Sequence, residues 1–483
     1  MTPEEFRRHG RELIGWLADY RTRLEGGELA ATAQVRPGWL RERLPPAPPT
    51  AAEPFAAIRA DLDRLVLPAL GHLQHPMYYG YFPVGGSLAS VLGDYVSGGL
   101  AQLGLNWASS PALTELEEHV VDWFRQMLGL SSQWHGVIHD TASAATLVAM
   151  ICARERATEY GAARGGLQQE TAPLMVYVST QSHSSVDKAA LLAGFGRDNV
   201  RRIGTDDAHA MDVEQLERTI AADLAAGCRP CVIVATTGTT GTTALDPIDR
   251  IAGLAAKFGL WLHVDAALAG SAMLLPACRW MWAGVEGADS LVVNPHKWLG
   301  VAFDCSTYYV RDPQHLIRVM STNPSYLQTS ADAEATNFRD WGIPLGRRFR
   351  ALKLWFLIRE QGVEGLQARL QRDLDNAQWL KAQVDATPDW RRLAPVPLQT
   401  VCVRHEPPGV EGEALDRHTL GWCGRINASG AAWLTPSQLN GRWMVRVSIG
   451  AEATQRQHVE RLWQILRAQA EHPPSDHRST LSV

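Results

Sequence analysis

Apolar residues recur in two rhythms along this chain, and the change of rhythm divides it. Phe6, Leu13, Ile14, Leu17 and Tyr20 fall at helical spacing behind Thr2, Pro3 and Glu5, which read as an N-cap, a first-turn proline and a capping-box acid. This predicts an amphipathic helix whose apolar face needs a partner. The proline-rich stretch "RLPPAPPTAAEPF" (43–55) cannot be regular in its middle and separates this piece from the rest of the chain. From about residue 90 to 310 the pattern becomes short β-rich runs alternating with helical ones. "LMVYVST", "VRRIGT", "CVIVATTG", "LWLHVDAA", "SLVVNPHK" and "STYYVR" read as strands, and "SVDKAALLAGF", "DVEQLERTIAADLAAG" and "PIDRIAGLAAKFG" as helices. Such alternation predicts a largely parallel sheet covered by helices on both faces, and the short gap between the last two strands predicts one antiparallel pairing. Beyond residue 346 the chain reads as a long helix, the strands "TVCVRH" and "WMVRVSIG", and a last helix near 455–469. The expected organisation is an N-terminal helical arm (1–85), a large domain (86–365) and a small α/β C-terminal domain (366–483). Only "HPPSDHRSTLSV" at the end reads as disordered.

Composition narrows the partners. The 483 residues carry a net charge of −5 without a block of like charges, so neither a phosphate backbone nor an anionic membrane is attracted. The N-terminus lacks the apolar stretch of a secretory signal, and no apolar run approaches the ~20 residues that cross a bilayer. A cytoplasmic location is the expectation. The 7 cysteines, an odd number in apolar contexts, read as reduced core residues. Cys228 and Cys231 in "CRPC" have metal or redox spacing, but no second pair accompanies them and a strand pattern comes directly after; the structural reading is preferred and no metal is expected.

Ligands of parallel α/β sheets bind beyond the carboxyl ends of the strands, and three polar clusters stand there. "HVDAALAG" ends a strand with Asp265, "NPHK" ends another with Asn294, His296 and Lys297, and "VATTGTTGTT" ends a third. Alone, Asp265 reads equally as a partner of some basic group and Lys297 as a snorkelling surface lysine. Together they suit pyridoxal 5′-phosphate, which needs a lysine for a Schiff base, a carboxylate to keep its ring nitrogen protonated, and backbone amides for its phosphate. "HDTASAATL" (139–147) places small hydroxyl residues at the start of a helix, where free N–H groups favour an anion; an ordinary N-cap would look the same. His183 in "STQSHSSVDKA" stands just past another strand end and could stack on the ring, although a lone histidine is more often structural.

In these residues, and in "HPMYYGYFP", "SSPALTELE", "QSHSSVDKA", "HVDAALAGSA", "NPHKWLG", "FDCS" and "IPLGRRFRALKLWF" in that order, the chain resembles the group II pyridoxal-phosphate-dependent decarboxylases, and among them the aromatic-L-amino-acid (DOPA) decarboxylases of bacteria. The resemblance covers nearly the whole chain. It implies a type I aminotransferase-like fold and a homodimer with the active site at the subunit interface, the arm packing on the partner subunit. It implies that Lys297 is the Schiff-base lysine and Asp265 the partner of the pyridinium. Ala142, Ser143 and His296 would attend the phosphate, Thr240, Ala267 and Asn294 would line the cofactor, and His183 would stack on the ring and contact substrate. Tyr326 in "NPSYLQTS" matches the tyrosine of the family's mobile catalytic loop, and its surroundings lack apolar periodicity, as suits a segment that opens and closes. Tyr81, Phe82, Pro83, Val84 and Leu105 would wall the substrate. The chain departs from its relatives at Asp140 and Ala144, where many carry Gly and Glu, so phosphate binding would rest on backbone N–H groups. It also departs at Val84, where animal members carry threonine.

The implied reaction is decarboxylation of an aromatic L-amino acid to its amine, with L-DOPA first and tryptophan, 5-hydroxytryptophan, tyrosine and phenylalanine beside it. An apolar aromatic wall without a placed arginine disfavours glutamate. Tyr326 would protonate the α carbon with His183 assisting. Three alternatives stand beside this reading: an aromatic aldehyde synthase of the same family, in which the loop tyrosine is typically phenylalanine; a histidine or glutamate decarboxylase, which fits the pocket less well; and a non-catalytic binding protein on the same fold, which would be expected to have lost Lys297 or Asp265.

Overall fold

The computed structural model describes residues 1–322, 324–332 and 334–471; the expected disordered stretch at 472–483 lies outside the described residues. The chain forms two compact units, one made of Val84–Asp375 with Ala394–Thr400, the other of Met1–Pro83, Asn376–Leu393 and the chain from Val401 onward. The larger unit is built on a seven-stranded sheet of β1 (His135–His139), β2 (Leu174–Ser179), β3 (Val200–Ile203), β4 (Arg229–Thr236), β5 (Trp261–Asp265), β6 (Ser290–Val293) and β7 (Ser306–Val310), in the order β1-β7-β6-β5-β4-β2-β3. Pairings from β6 through β3 are parallel, and β7 is antiparallel to both of its neighbours. All six strands read from the large-domain sequence are present, including the antiparallel β6–β7 pair, and the type I aminotransferase-like fold is the one observed. β1 is the strand that the periodicity did not predict: "HGVIH" opens on two residues that carry no apolar alternation. Because β7 runs backwards between β6 and β1, β1 points the same way as β2 to β6, and their carboxyl ends share one edge of the sheet.

Burial explains why those strands read as continuous apolar runs. Every residue of β2, β5, β6 and β7 is buried, since helices cover both faces. The helix Ala142–Ala157 sends Ala145, Val148, Ala149 and Cys152 into the core with Val176, Val178, Val232 and Val234. Its start is thereby fixed against the sheet, directly behind the end of β1. Cys231 belongs to this core and burial pushes its thiol up to about 12, the state of a packing residue.

In the smaller unit the helix Pro3–Glu25 begins on the expected capping box, with Thr2 and Glu5 each accepting the other's backbone N–H. The N-terminal stretch, expected as a separate arm, shares this unit with the C-terminal segment: Ala31 N–H donates to Gly430 C=O and Tyr79 N–H to Trp433 C=O, both at 2.9 Å. A four-stranded sheet adds β8 (Trp390–Arg392), β9 (Thr400–His405), β10 (Thr435–Leu439) and β11 (Arg442–Ser448), in the order β10-β11-β9-β8. The long helix Ala351–Ala386 is interrupted at Gly362, whose φ of 66° only glycine adopts readily. Among the described residues no helix is long and apolar enough to cross a membrane.

Candidate active site

Sheet register lines up the residues at the carboxyl edge. Thr236 of β4 pairs with Asp265 of β5, which pairs with Val292 of β6. Past the strand ends the backbone stays laced together: Thr237 N–H donates to Asp265 C=O, Ala266 N–H to Val292 C=O, and Asn294 N–H to Ala267 C=O. Asp265, Ala267 and Asn294 therefore occupy one rigid patch. The Asp265 carboxylate is buried and accepts Ala267 N–H at 3.0 Å, and the Asn294 amide oxygen accepts the Ser306 hydroxyl at 2.6 Å.

Lys297 rises from the turn Pro295–Leu299, half-buried, at a residue whose backbone leaves the helical region (φ −96°, ψ −117°). Its N–H donates to Asn294 C=O. Trp298 beside it is fully buried and donates its indole N–H to Asp373 at 2.9 Å, while Arg369 donates to the Trp298 and Leu299 carbonyls. His296 is tied to Cys305, whose N–H donates to Nδ1 at 3.0 Å. Nδ1 is thus the acceptor and Nε2 keeps the proton. Desolvation, with Lys297 adding to it, draws the His296 pKa down to about 3, so the ring is a neutral donor. The chain enters this turn's surroundings through Gly85, which donates to His296 C=O at 2.7 Å. A Cβ on Gly85 would stand 2.0 Å from the Val301 carbonyl oxygen, so no other residue fits.

His183 comes from the loop after β2, where Ser185 N–H (3.1 Å) and the Ser185 hydroxyl (2.8 Å) meet its Nδ1, again leaving the proton on Nε2. The ring keeps solvent contact, yet desolvation lowers its pKa, opposed by the charge of Asp265 and reinforced by that of Lys297. The loop that carries His183 follows β2, whose carboxyl end lies at the same edge of the sheet as those of β5 and β6.

After β1, Thr141 caps the helix Ala142–Ala157, and Asp140 turns its carboxylate back to accept Thr141 N–H at 2.7 Å. Ala142 and Ser143 are the first two helical residues, so their N–H groups have no intrahelical acceptor. Asp140 is engaged with its own turn. The threonine run after β4 folds onto itself: Thr239 Oγ1 meets Thr242 Oγ1 at 3.2 Å and accepts Ala244 N–H at 3.0 Å, which leaves Thr240 at the exposed tip.

The expected substrate wall is divided between the units. Tyr81, Phe82 and Pro83 belong to the smaller one; Tyr81 is exposed with its N–H on the Thr435 hydroxyl, and Phe82 is buried beneath the Arg446 guanidinium. Val84 and Leu105 belong to the larger one, both half-buried. Tyr326 falls in the short turn Ser325–Leu327, and its side chain lies outside the described residues. Beyond it, Asp332 gathers the Thr329 hydroxyl (2.6 Å) and the Asn337 amide (3.1 Å).

The site suits pyridoxal phosphate by its own chemistry. An amine, a buried carboxylate and a neutral imidazole interact there, a helix N-terminus opens at the same edge, and the buried hydroxyls of Ser182 and Thr237 have no partner among the described residues. Sequence reading missed Asp373 and Arg369, which hold the lysine turn from the long helix. Nothing in the local pattern distinguishes them from other charged helical residues.

Comparison with known proteins agrees. The model of the pyridoxal-dependent decarboxylase conserved domain matches residues 37–406. The chain is 37% identical to aromatic-L-amino-acid decarboxylase of Bos taurus, over 98% of this chain and 99% of that protein. It is 35% identical to phenylacetaldehyde synthase of Arabidopsis thaliana, over 97% and 96%. The crystal structure of Oryza sativa TDC with PLP and tryptamine superposes with a TM-score of 0.94 at 32% identity, over 97% of this chain and 98% of that one. The chain belongs to the group II pyridoxal-phosphate-dependent decarboxylases, and pyridoxal 5′-phosphate is its cofactor.

Proposed function

We propose that this protein is an aromatic-L-amino-acid decarboxylase that converts L-DOPA, and with it tryptophan, 5-hydroxytryptophan, tyrosine or phenylalanine, to the amine and carbon dioxide. The observation that carries this reading is the rigid patch at the carboxyl edge of the sheet, where the buried Asp265 carboxylate and the turn that bears Lys297 are laced together through Ala267 and Asn294. Bound pyridoxal phosphate supplies an electron sink for the pair left on the α carbon when the carboxylate departs. Lys297 would hold the cofactor's aldehyde carbon through its amine, and Asp265 would keep a proton on the ring nitrogen. His183 would stack on the ring and offer its Nε2–H to the substrate, and Ala267 would line the cofactor. Ala142 and Ser143 offer amides to the phosphate, with His296 beside it and Thr240 and Asn294 along the cofactor. Tyr81, Phe82, Pro83, Val84 and Leu105 form the apolar wall, and Tyr326 delivers the proton to the α carbon.

The working unit we propose is a homodimer with the site at its interface, of arm 1–85, large domain 86–365 and small domain 366–483. Two features support it. The helix Leu88–Leu100 leaves Leu88, Leu92 and Tyr95 exposed at i, i+4 and i+7, with Leu100 beyond them, and the first helix leaves Phe6, Ile14 and Leu17 exposed; stripes of this kind belong against another surface. The setting is the cytoplasm, where the seven free thiols stay reduced.

Amine, aldehyde and oxygen consumption, measured with each amino acid, test the reading. The wild type releases amine with little oxygen use. Tyr326→Phe makes less amine and diverts the α carbon to oxygen, giving aldehyde, ammonia and hydrogen peroxide from the amino acid, oxygen and water, with carbon dioxide lost as before. Aldehyde as the main wild-type product would establish the synthase activity instead. Absence of any turnover from a protein that binds pyridoxal phosphate would establish the non-catalytic reading.

A further inference from the structure

Glu117 and Arg347 form an ion pair with side chains 0% and 5% exposed, and neither is among the residues placed in the chemistry above. Burial of two charges is costly unless other hydrogen bonds complete them, and where these bonds go is informative. β1 is the edge strand of the sheet, bonded to β7 on one side alone. Its residue Ile138, opposite Thr307, turns its N–H and C=O to the open side, away from β7. There Glu117 accepts Ile138 N–H at 2.8 Å and Arg347 donates to Ile138 C=O at 2.7 Å. The pair stands in for a missing neighbouring strand, two residues before Asp140 and four before Ala142.

Arg347 reaches two further places, and the second leads back to β1. Its carbonyl accepts Gly104 N–H at 2.9 Å, directly before Leu105 of the substrate wall. Its guanidinium lies 4.9 Å over the Phe338 ring, at the carboxyl root of the segment that holds Tyr326. Phe338 packs edge-on against Trp341 at 5.5 Å, and the Trp341 carbonyl meets His139 Nε2 at 3.0 Å, which returns the circuit to β1.

We infer that Glu117 and Arg347 are a positioning pair that couples three parts of the site: the amide turn that receives the cofactor's phosphate, the wall at Leu105 and the root of the Tyr326 segment. The inference rests on the proposed roles of those three parts and deepens them. Nη2 of Arg347 serves both Glu117 and Ile138 C=O while the guanidinium plane lies over Phe338; a lysine ends one bond shorter and has no plane to set on the ring.

The test is Arg347→Lys, which keeps the charge beside Glu117 and so avoids an unpaired buried carboxylate, alongside Glu117→Gln. Apo protein is titrated with pyridoxal phosphate by fluorescence, and peroxide formed per amine is measured on the loaded enzyme. The expected result for Arg347→Lys is a cofactor Kd raised about tenfold, the scale of one lost charge-assisted hydrogen bond, with a larger peroxide share. A lowered Tm with Kd and peroxide share within about twofold of wild type, against that same scale, reduces the pair to a strut and overturns the inference. Should both variants fail to fold, hydrogen exchange of the wild type decides. Cofactor loading then protects 136–144, 103–107 and 338–347 together, whereas protection confined to 136–144 overturns the coupling. Cofactor affinity and exchange need no amino acid, so a wild type that yields no amine would sink the proposed reaction and leave this result readable.

Discussion

Two turns at the same edge of the large sheet are held in opposite ways. The lysine turn extends from a central strand. Asn294 is fixed by Ser306 and His296 by Cys305, partners 12 and 9 residues away, and backbone bonds to β5 lock the rest. The turn at Ala142 extends from an edge strand. Its root depends on Glu117 and Arg347, which are 21 and 209 residues from Ile138. Asn294 and His296 thus rest on partners close in sequence, and distant chain reaches the lysine turn only around them, through Gly85, Arg369 and Asp373, whereas the backbone of the edge strand itself is completed by distant side chains.

The largest effect should come from the central half. Asp265→Asn keeps the shape of the patch and removes its negative charge, so turnover should fall by at least about 10^3-fold while the cofactor still binds, because the loss concerns charge in the reacting state more than docking. Borohydride reduction and peptide mapping of the same variant should still label Lys297. A label on Lys188 or Lys257, or near-normal turnover, breaks the assignment of this half.

That contrast also sets what the sequence made legible. Asp265, Asn294, His296 and Lys297 were readable because each ends a run of buried β-residues, where a polar side chain needs a reason. The capping box at Thr2, the six apolar strands and the helix behind Thr141 were readable from periodicity and cap chemistry. β1 was not, because its first residues are half-solvated at the sheet's edge and its polar needs are met by side chains instead of a second strand. Arg347, Arg369 and Asp373 look in sequence like ordinary charges, and only tertiary packing makes them buried. Glycines blur the stripe of the helix Leu88–Leu100, whereas Pro111–Leu128 buries Leu113, Val120, Val121, Phe124 and Leu128 at helical spacing and was legible in principle.

A smaller effect should separate amide binding from hydroxyl binding at the edge half. Ala142 is the first helical residue, and Thr141 before it is extended (φ −138°, ψ 159°), a conformation that accepts a proline after it. Ala142→Pro therefore preserves the helix start and deletes one N–H. With a charge-assisted hydrogen bond lost, the Kd for pyridoxal phosphate should rise roughly 10- to 100-fold while Tm stays near the wild-type value. An unchanged Kd would show that this amide does not face the phosphate.

The smallest effect compares the two halves in acid. Burial draws His296 of the lysine turn down to about 3 and His139 of the edge strand down to about 4; His75, His263 and His418 are likewise drawn down to about 4. Each such group is neutral in the folded protein and, once unfolded, takes up a proton below about 6.5. The unfolded state then binds more protons, so stability falls as pH drops from about 6.5 toward 4. Asp246, pushed up to about 6 by burial, works the other way between about 4 and 6 and offsets one histidine. Asp304, held down near 2 beside Arg350 and Lys353, loses its contribution only below the ordinary carboxylate range and stays outside this window. Around His139 the charges of Arg347 and Arg350 disfavour protonation and that of Asp140 favours it, after desolvation as the main cause. His139→Gln keeps an N–H to donate to the Trp341 carbonyl but cannot titrate. Thermal melts of the apo protein should therefore show the variant's stability falling less steeply between pH 6 and 4.5, by about 1.4 kcal/mol per pH unit, the weight of one proton. A slope equal to the wild type's would mean that His139 titrates as it does in water, and that the edge strand is open to solvent where Glu117 and Arg347 are taken to close it.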